Sequence, residues 1–189
     1  MSSSAVSPLA RPFPNIPEIQ GVVRRIARAH YKSWDRCDLT LMTFDEGTSV
    51  AGVLTQSKCP SSEVDWCREH LPQGHARALV VSAGNANAFT GRRGRAAVEA
   101  VTARVAERLK CPIEAVFVSA TGVIGVPLPI DKAEAGLDAA FQAQPCSWEE
   151  AAATIMTTDT FPKGAVTTAV IGARTVTLAG IIKGSGMIA

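Results

Sequence analysis

In Ala78-Leu79-Val80-Val81-Ser82-Ala83-Gly84-Asn85-Ala86-Asn87-Ala88-Phe89-Thr90-Gly91, a short apolar run passes straight into glycine and asparagine. Ala78–Val81 reads as a buried strand. The loop that follows is built of small residues, which let backbone approach backbone, and of Asn, which tolerates left-handed conformations and bonds nearby amides. Downstream, Val98, Val101, Val105 and Leu109 recur at three- and four-residue spacing, with Arg104, Glu107 and Arg108 elsewhere on the wheel. That pattern predicts a helix from about Gly94 to Lys110. A second strand, Ala115 to Ser119, ends at Thr121-Gly122.

The elements further out are hairpins and capped helices. Asp38 to Thr55 reads as a β-hairpin, with Leu39 and Leu41 on one side of Asp45-Glu46-Gly47 and Val50, Val53 and Leu54 on the other. Pro60-Ser61-Ser62 opens a short helix through about Glu69, with Ser61 or Ser62 as N-cap. Helices are predicted over Ile130–Gln142 and Trp148–Met156, the latter started by the capping box Ser147-x-x-Glu150. Val166–Ile171 and Thr175–Ile182, joined at Gly172-Ala173-Arg174, read as a closing hairpin. Residues 1–18, with Pro8, Pro12, Pro14 and Pro17, are expected to be a flexible arm ahead of a single domain over 19–189. Strands and helices mix without strict βαβ alternation. The fold class is therefore α/β of the layered α+β kind, with mixed sheets and hairpins packed against helices, in preference to a doubly wound parallel sheet.

The chain has 189 residues, 47% of them hydrophobic, enough to bury a core. Nineteen basic and 17 acidic residues give a formal charge of +2, which offers no basic stripe for nucleic acid. Arg92, Arg93 and Arg95 read as a solvated helix start. No apolar run approaches the ~20 residues of a membrane helix. Five scattered cysteines with no Cys-x-x-Cys pair, and no secretory leader, point to reduced thiols in the cytoplasm. His30, His70 and His75 lack metal-ligand spacing, and there is no P-loop, dinucleotide fingerprint or Gly-x-Ser-x-Gly elbow.

Four stretches can carry chemistry. Gly84 to Gly91 can hold an anion at a helix start, although a tight self-bonded connection is the commoner use of such residues. Ser119-Ala120-Thr121-Gly122 can aim a hydroxyl and a bare amide at one point, as acyl transfer requires, or form an ordinary glycine turn. Met156-Thr157-Thr158-Asp159-Thr160 can line a polar pocket or close a turn on itself. Near the carboxyl end, Lys183, between an apolar strand and Gly184-Ser185-Gly186, can hold a substrate carboxylate or sit at the surface.

Five segments together resemble the ornithine acetyltransferase family of arginine biosynthesis. They are Ala51-Gly52-Val53-Leu54-Thr55, Ser82 to Gly91, Ser119 to Gly125, Thr157-Thr158-Asp159-Thr160-x-Pro162-Lys163, and Gly180-x-x-Lys183-Gly184-Ser185-Gly186-Met187-Ile188. The resemblance runs from about residue 20 to the last residue. It implies a self-processing fold in which a precursor cuts itself before a threonine, which becomes the nucleophile and first residue of a β chain. The present chain would be the α chain, its end at Ala189 a few residues short of the expected scission. The resemblance further implies that Thr121 and Gly122 form an oxyanion hole and that Thr158 and Lys183 contact substrate. The implied reaction is ping-pong: acetyl passes from N-acetylornithine to the β-chain threonine and then to glutamate, with acetyl-CoA an additional donor in some members. The implied partner is the β chain, in an α2β2 heterotetramer, and the resemblance implies no metal or organic cofactor. Alternative readings are a threonine-nucleophile aminopeptidase, a secondary-metabolism ornithine acetyltransferase, and a non-enzymatic binder of an anionic metabolite.

Overall fold

The computed structural model describes residues 6–184. Its centre is a four-stranded sheet in the order β1 (Val22–Ala27), β2 (Leu39–Phe44), β3 (Ala78–Asn85), β4 (Val116–Val123). β1–β2 and β2–β3 are antiparallel, and β3–β4 is parallel with Ala78 beside Val116 and Gly84 beside Gly122. A parallel pair needs a crossover, and helix α2 (Gly91–Leu109) supplies it. The other helices are α1 (Ser62–His70), α3 (Ile130–Gln142) and α4 (Trp148–Thr154). β5 (Lys163–Ile171) and β6 (Arg174–Ile182) form a separate antiparallel hairpin.

Strand alternation sorts the core into two clusters, one on each face of the sheet. Leu39, Leu41, Ala78, Val80, Val116 and Val118 pack against Trp66 of α1, Val98, Val101 and Val105 of α2, and Ala133 and Leu137 of α3. On the other face Met42, Phe44 and Leu79 meet Trp148 and Ala151 of α4 together with Val166, Ala179 and Ile181 of the hairpin. The result is the expected layered α/β architecture: helices, mixed sheet, then hairpin with α4.

Local chemistry accounts for most element ends. Ser61 Oγ accepts from the Val64 amide at 3.4 Å to start α1. At α4 the capping box is complete: Glu150 N donates to Ser147 Oγ at 3.1 Å, and Ser147 N donates to Glu150 Oε2 at 2.8 Å. Gly172, at φ +62, turns the closing hairpin.

Several expectations are corrected. The hairpin over Asp38–Thr55 does not form. The turn at Asp45–Gly47 exists, with Gly47 at φ +84 and Thr48 N bonded to Asp45 O at 3.2 Å. The chain beyond it cannot return beside β2, because β1 and β3 occupy both of that strand's edges. Ser49 instead bridges His75, and Val50–Thr55 is irregular, with Val53 98% exposed. β1 was not anticipated, since Arg24 and Arg25 interrupt its apolar pattern. Arg24 is nevertheless only 1% exposed: its guanidinium pairs with Glu18 at 2.7 Å and stacks 4.2 Å from the Trp148 ring centre. α2 starts at Gly91, α4 stops at Thr154, and β4 runs on through Thr121-Gly122. Residues 6–18 carry no helix or strand, but the later part of this arm is packed down. Ile16 is buried in the second cluster, and Trp148 Nε1 donates to Pro17 O at 3.1 Å.

Candidate active site

The ends of β3 and β4 are fixed by the loops that leave them. Asn85 Nδ2 donates to Val126 O at 3.3 Å and Pro127 O at 3.1 Å, tying the β3 end to the loop after β4. Asn87 is fully buried; its Nδ2 donates to Glu63 Oε1 at 2.9 Å and Gly94 O at 3.0 Å, and its Oδ1 accepts from Leu128 N at 3.3 Å. Thr90 Oγ1 donates to Asn87 O at 2.8 Å. The Gly84–Gly91 loop is thus self-bonded, and its asparagines act as braces. Burial pushes the Glu63 carboxyl up, against the opposing bond from Asn87.

This bracing sets Gly122. It has φ +127, and a Cβ there would sit inside the van der Waals shell of the Gly84 carbonyl, so no other residue fits. The edge of β4 also determines where its peptide groups point. The carbonyls of Val116 and Val118 face off the sheet and accept from Trp66 Nε1 at 2.8 Å and Cys67 Sγ at 3.3 Å. Those of Ala115 and Val123 accept from Arg77 N and Ala86 N on the β3 side. By the same alternation the peptide groups of Ala120 and Gly122 face outward.

Thr121 lies between them and lines a cleft of about 380 Å³ between the sheet and the β5–β6 hairpin. Ser119, Trp148 and Ile155 share its wall, and Ala179 to Lys183 form the opposite side. Thr121 and Lys183 therefore meet across one space, and Gly122 adjoins it in sequence. Thr158 is exposed and is not part of the wall, although the next residue, Asp159, is paired to Lys183 at 3.5 Å. Asp159 belongs to the Met156–Thr160 stretch read as a pocket lining or a self-closed turn, but it was not singled out within it. Its signal was a single acid among threonines, which sequence alone does not distinguish from a turn. Ser185 to Ala189, including the end expected near the scission, lie outside the described residues.

A second cavity of about 340 Å³ lies under the Val50–Leu54 segment, with walls that include Phe44, Leu71, Leu79 and Phe117. Ser61 caps α1, Cys67 donates to Val118 O, and Glu63 accepts from Asn87 through Oε1 while its buried Oε2 has no hydrogen-bond partner. Burial pushes the Cys67 thiol up, so it is no ready nucleophile. All five cysteines are free thiols. Among the described residues no group of three or more His, Cys, Asp or Glu is placed to hold a metal ion, and no helix is long and apolar enough to cross a membrane. Arg95 at the start of α2 is spent on Glu69 and Glu99, each at 2.9 Å.

Fold and cleft together define a layered, mixed α/β domain that sets a strand-end hydroxyl and glycine opposite an ion-paired lysine. Residues 24–189 match the ArgJ family profile, and the chain belongs to the ArgJ family. It is 56% identical over 185 residues to the arginine biosynthesis bifunctional protein ArgJ of Zymomonas mobilis, covering 97% of this chain and 45% of that protein. It is 50% identical over 189 residues to the ArgJ protein of Agrobacterium fabrum, covering 99% of this chain and 46% of that one. The chain thus spans about half the length of the curated relatives it matches. Among solved structures, ArgJ from Bacillus halodurans superposes with a TM-score of 0.81 at 31% identity, over 90% of both chains. An ornithine acetyltransferase from Mycobacterium tuberculosis, solved in complex with ornithine, superposes with a TM-score of 0.77 at 31% identity, over 90% of this chain and 91% of that one.

Proposed function

We propose that this chain is the α part of a two-chain acetyltransferase that moves acetyl from N-acetylornithine to glutamate in arginine biosynthesis. The observation that carries the reading is the cleft where Thr121 and Lys183 meet. In acyl transfer the carbonyl oxygen becomes an oxyanion, and donors held rigidly around it lower the barrier. The Thr121 hydroxyl and the outward Gly122 amide are suited to that role, and the Lys183 ammonium to the carboxylate of an amino-acid substrate. Thr158 would contact substrate from the turn beside Asp159.

The nucleophile in this reading is the first residue of a separate β chain, a threonine whose own amine takes the hydroxyl proton. Attack on N-acetylornithine gives an acyl-threonine and releases ornithine; glutamate then accepts the acetyl group. Two observations support a second polypeptide. The curated relatives are about twice as long as this chain, whereas the two solved chains align over 90% of this chain and 90–91% of their own length. The hairpin, although packed through Val166, Ala179 and Ile181 in the second core cluster, also leaves Val170, Ile171, Leu178 and Ile182 exposed together. An α2β2 assembly and a cytoplasmic site of action belong to the same proposal. No cofactor is invoked.

The test uses the full-length precursor and its Thr121→Ala variant, assayed for acetyl exchange between N-acetylornithine and glutamate. Loss of one oxyanion donor should lower kcat about 100-fold or more. Turnover within a few-fold of the parent would refute the assignment. Release of amino acids from short peptides by the parent protein would favour a hydrolase instead.

A further inference from the structure

Asp159 has no part in the acyl chemistry described above, yet its carboxylate is the most heavily engaged group beside the cleft. Its side chain has 0% exposure. Oδ1 accepts from Lys163 Nζ at 2.7 Å and from the Gly184 amide at 2.8 Å. Oδ2 accepts from the Thr157 amide at 3.3 Å and lies 3.5 Å from Lys183 Nζ. Burial by itself would raise this carboxyl. The bonds from Lys163, Gly184 and Thr157 and the charge of Lys183 outweigh it and hold the group well below the usual carboxylate range.

The two lysines are not held alike. Lys163 is committed to structure: besides its short bond to Asp159 it donates to Phe161 O at 3.3 Å and lies 4.6 Å from the Phe161 ring centre. Lys183 is held by the longer contact and faces the cleft with Thr121. Two positive charges thus meet one negative charge, and the excess lies on the lysine that faces the cleft. A free lysine would wander over its four-carbon stem; one tethered at its head is pre-organised.

We propose that Asp159 is a positioning residue of the cleft, fixing the Lys183 ammonium opposite Thr121 while leaving net positive charge for a substrate carboxylate. The identity of that carboxylate rests on the acetyl-transfer reading; the placement of Lys183 does not.

The experiment compares the full-length precursor with Asp159→Asn, Lys183→Gln and the double variant. Asp159→Asn should raise the KM for N-acetylornithine about tenfold or more with kcat changed far less, the size expected for a lost charge-assisted contact. In the Lys183→Gln background the same change should add little, because the two residues act as one unit. A second readout needs no activity: the rate at which an amine-reactive acylating reagent labels Lys183 without substrate, followed by peptide mass spectrometry. Labelling should be several-fold faster in Asp159→Asn than in the parent. Equal labelling rates, or KM effects that multiply in the double variant, would overturn the proposal. A parent protein that turns over no N-acetylornithine would defeat the acetyl-transfer reading, while the labelling comparison would still decide the role of Asp159. If Asp159→Asn does not accumulate folded, Asp159→Glu is read the same way, since it keeps the charge but moves it by one methylene. Unchanged labelling and KM in that variant would also overturn the proposal.

Discussion

Gly122 shows how little freedom one residue of this cleft has. Its positive φ and its contact with the Gly84 carbonyl both exclude a side chain. Gly122→Ala should destabilise the fold by about 1–3 kcal/mol, the cost of forcing an L-residue into a sparsely populated conformation. It should also depress acetyl transfer in the full-length precursor more than the lost stability explains. Thermal melts and kcat on the same preparation check both, and a variant with parental values for each would contradict the geometry. Asp159 makes a prediction in pH. Its folded pKa is depressed, so its stabilisation is complete above the unfolded value of about 3.9 and is lost as pH falls through the folded value. The difference in Tm between parent and Asp159→Asn should therefore be steady from about pH 6 to 8 and shrink below about pH 4. A difference that stays constant into strong acid would assign the stabilisation to something other than this charge.

At the scale of elements, the capping box of α4 holds the helix that presents Trp148 to the second core cluster. Ser147→Ala should cost about 1 kcal/mol, measurable as a lower urea midpoint with unchanged slope. The same element shows what a sequence makes legible. Ser147-x-x-Glu150, the Ser61 cap and the glycine turn between β5 and β6 are local chemistry, and the three elements they mark stand close to where they were expected. β1 was illegible because Arg24 and Arg25 look solvent-facing until Glu18 and Trp148 enclose one of them. Val50–Leu54 misled for the converse reason: its apolar residues suited a strand, but β2 had no edge left to pair with it. Around the cleft, the placement of Thr121 and Gly122 on β4 was readable from their strand-end position. Asp159 was not, because its importance lies in lysines 4 and 24 positions away that only the hairpin brings together.

Across the described residues, the larger of the two core clusters lies between sheet and helices, and the hairpin flank keeps an exposed apolar surface. Leu137 lies at 0% exposure among the sheet and helices, and Leu137→Ala should cost about 2–5 kcal/mol in a denaturation measurement. The flank is the hairpin, where Val170 is 73% and Leu178 50% exposed. In the full-length precursor its amides should exchange slowly with deuterium, and in residues 1–189 expressed alone they should exchange fast; equal protection in both would speak against a covering partner. The central sheet is treated differently. At one border the Arg24 carbonyl is taken by the Cys146 amide at 2.8 Å, and at the other Trp66 and Cys67 take the carbonyls of Val116 and Val118. Each such contact takes up an acceptor that another strand would need for pairing. Where two copies of this chain meet, those positions offer no free acceptor to a foreign strand, and the exposed apolar residues of the β5–β6 hairpin are the adhesive surface instead.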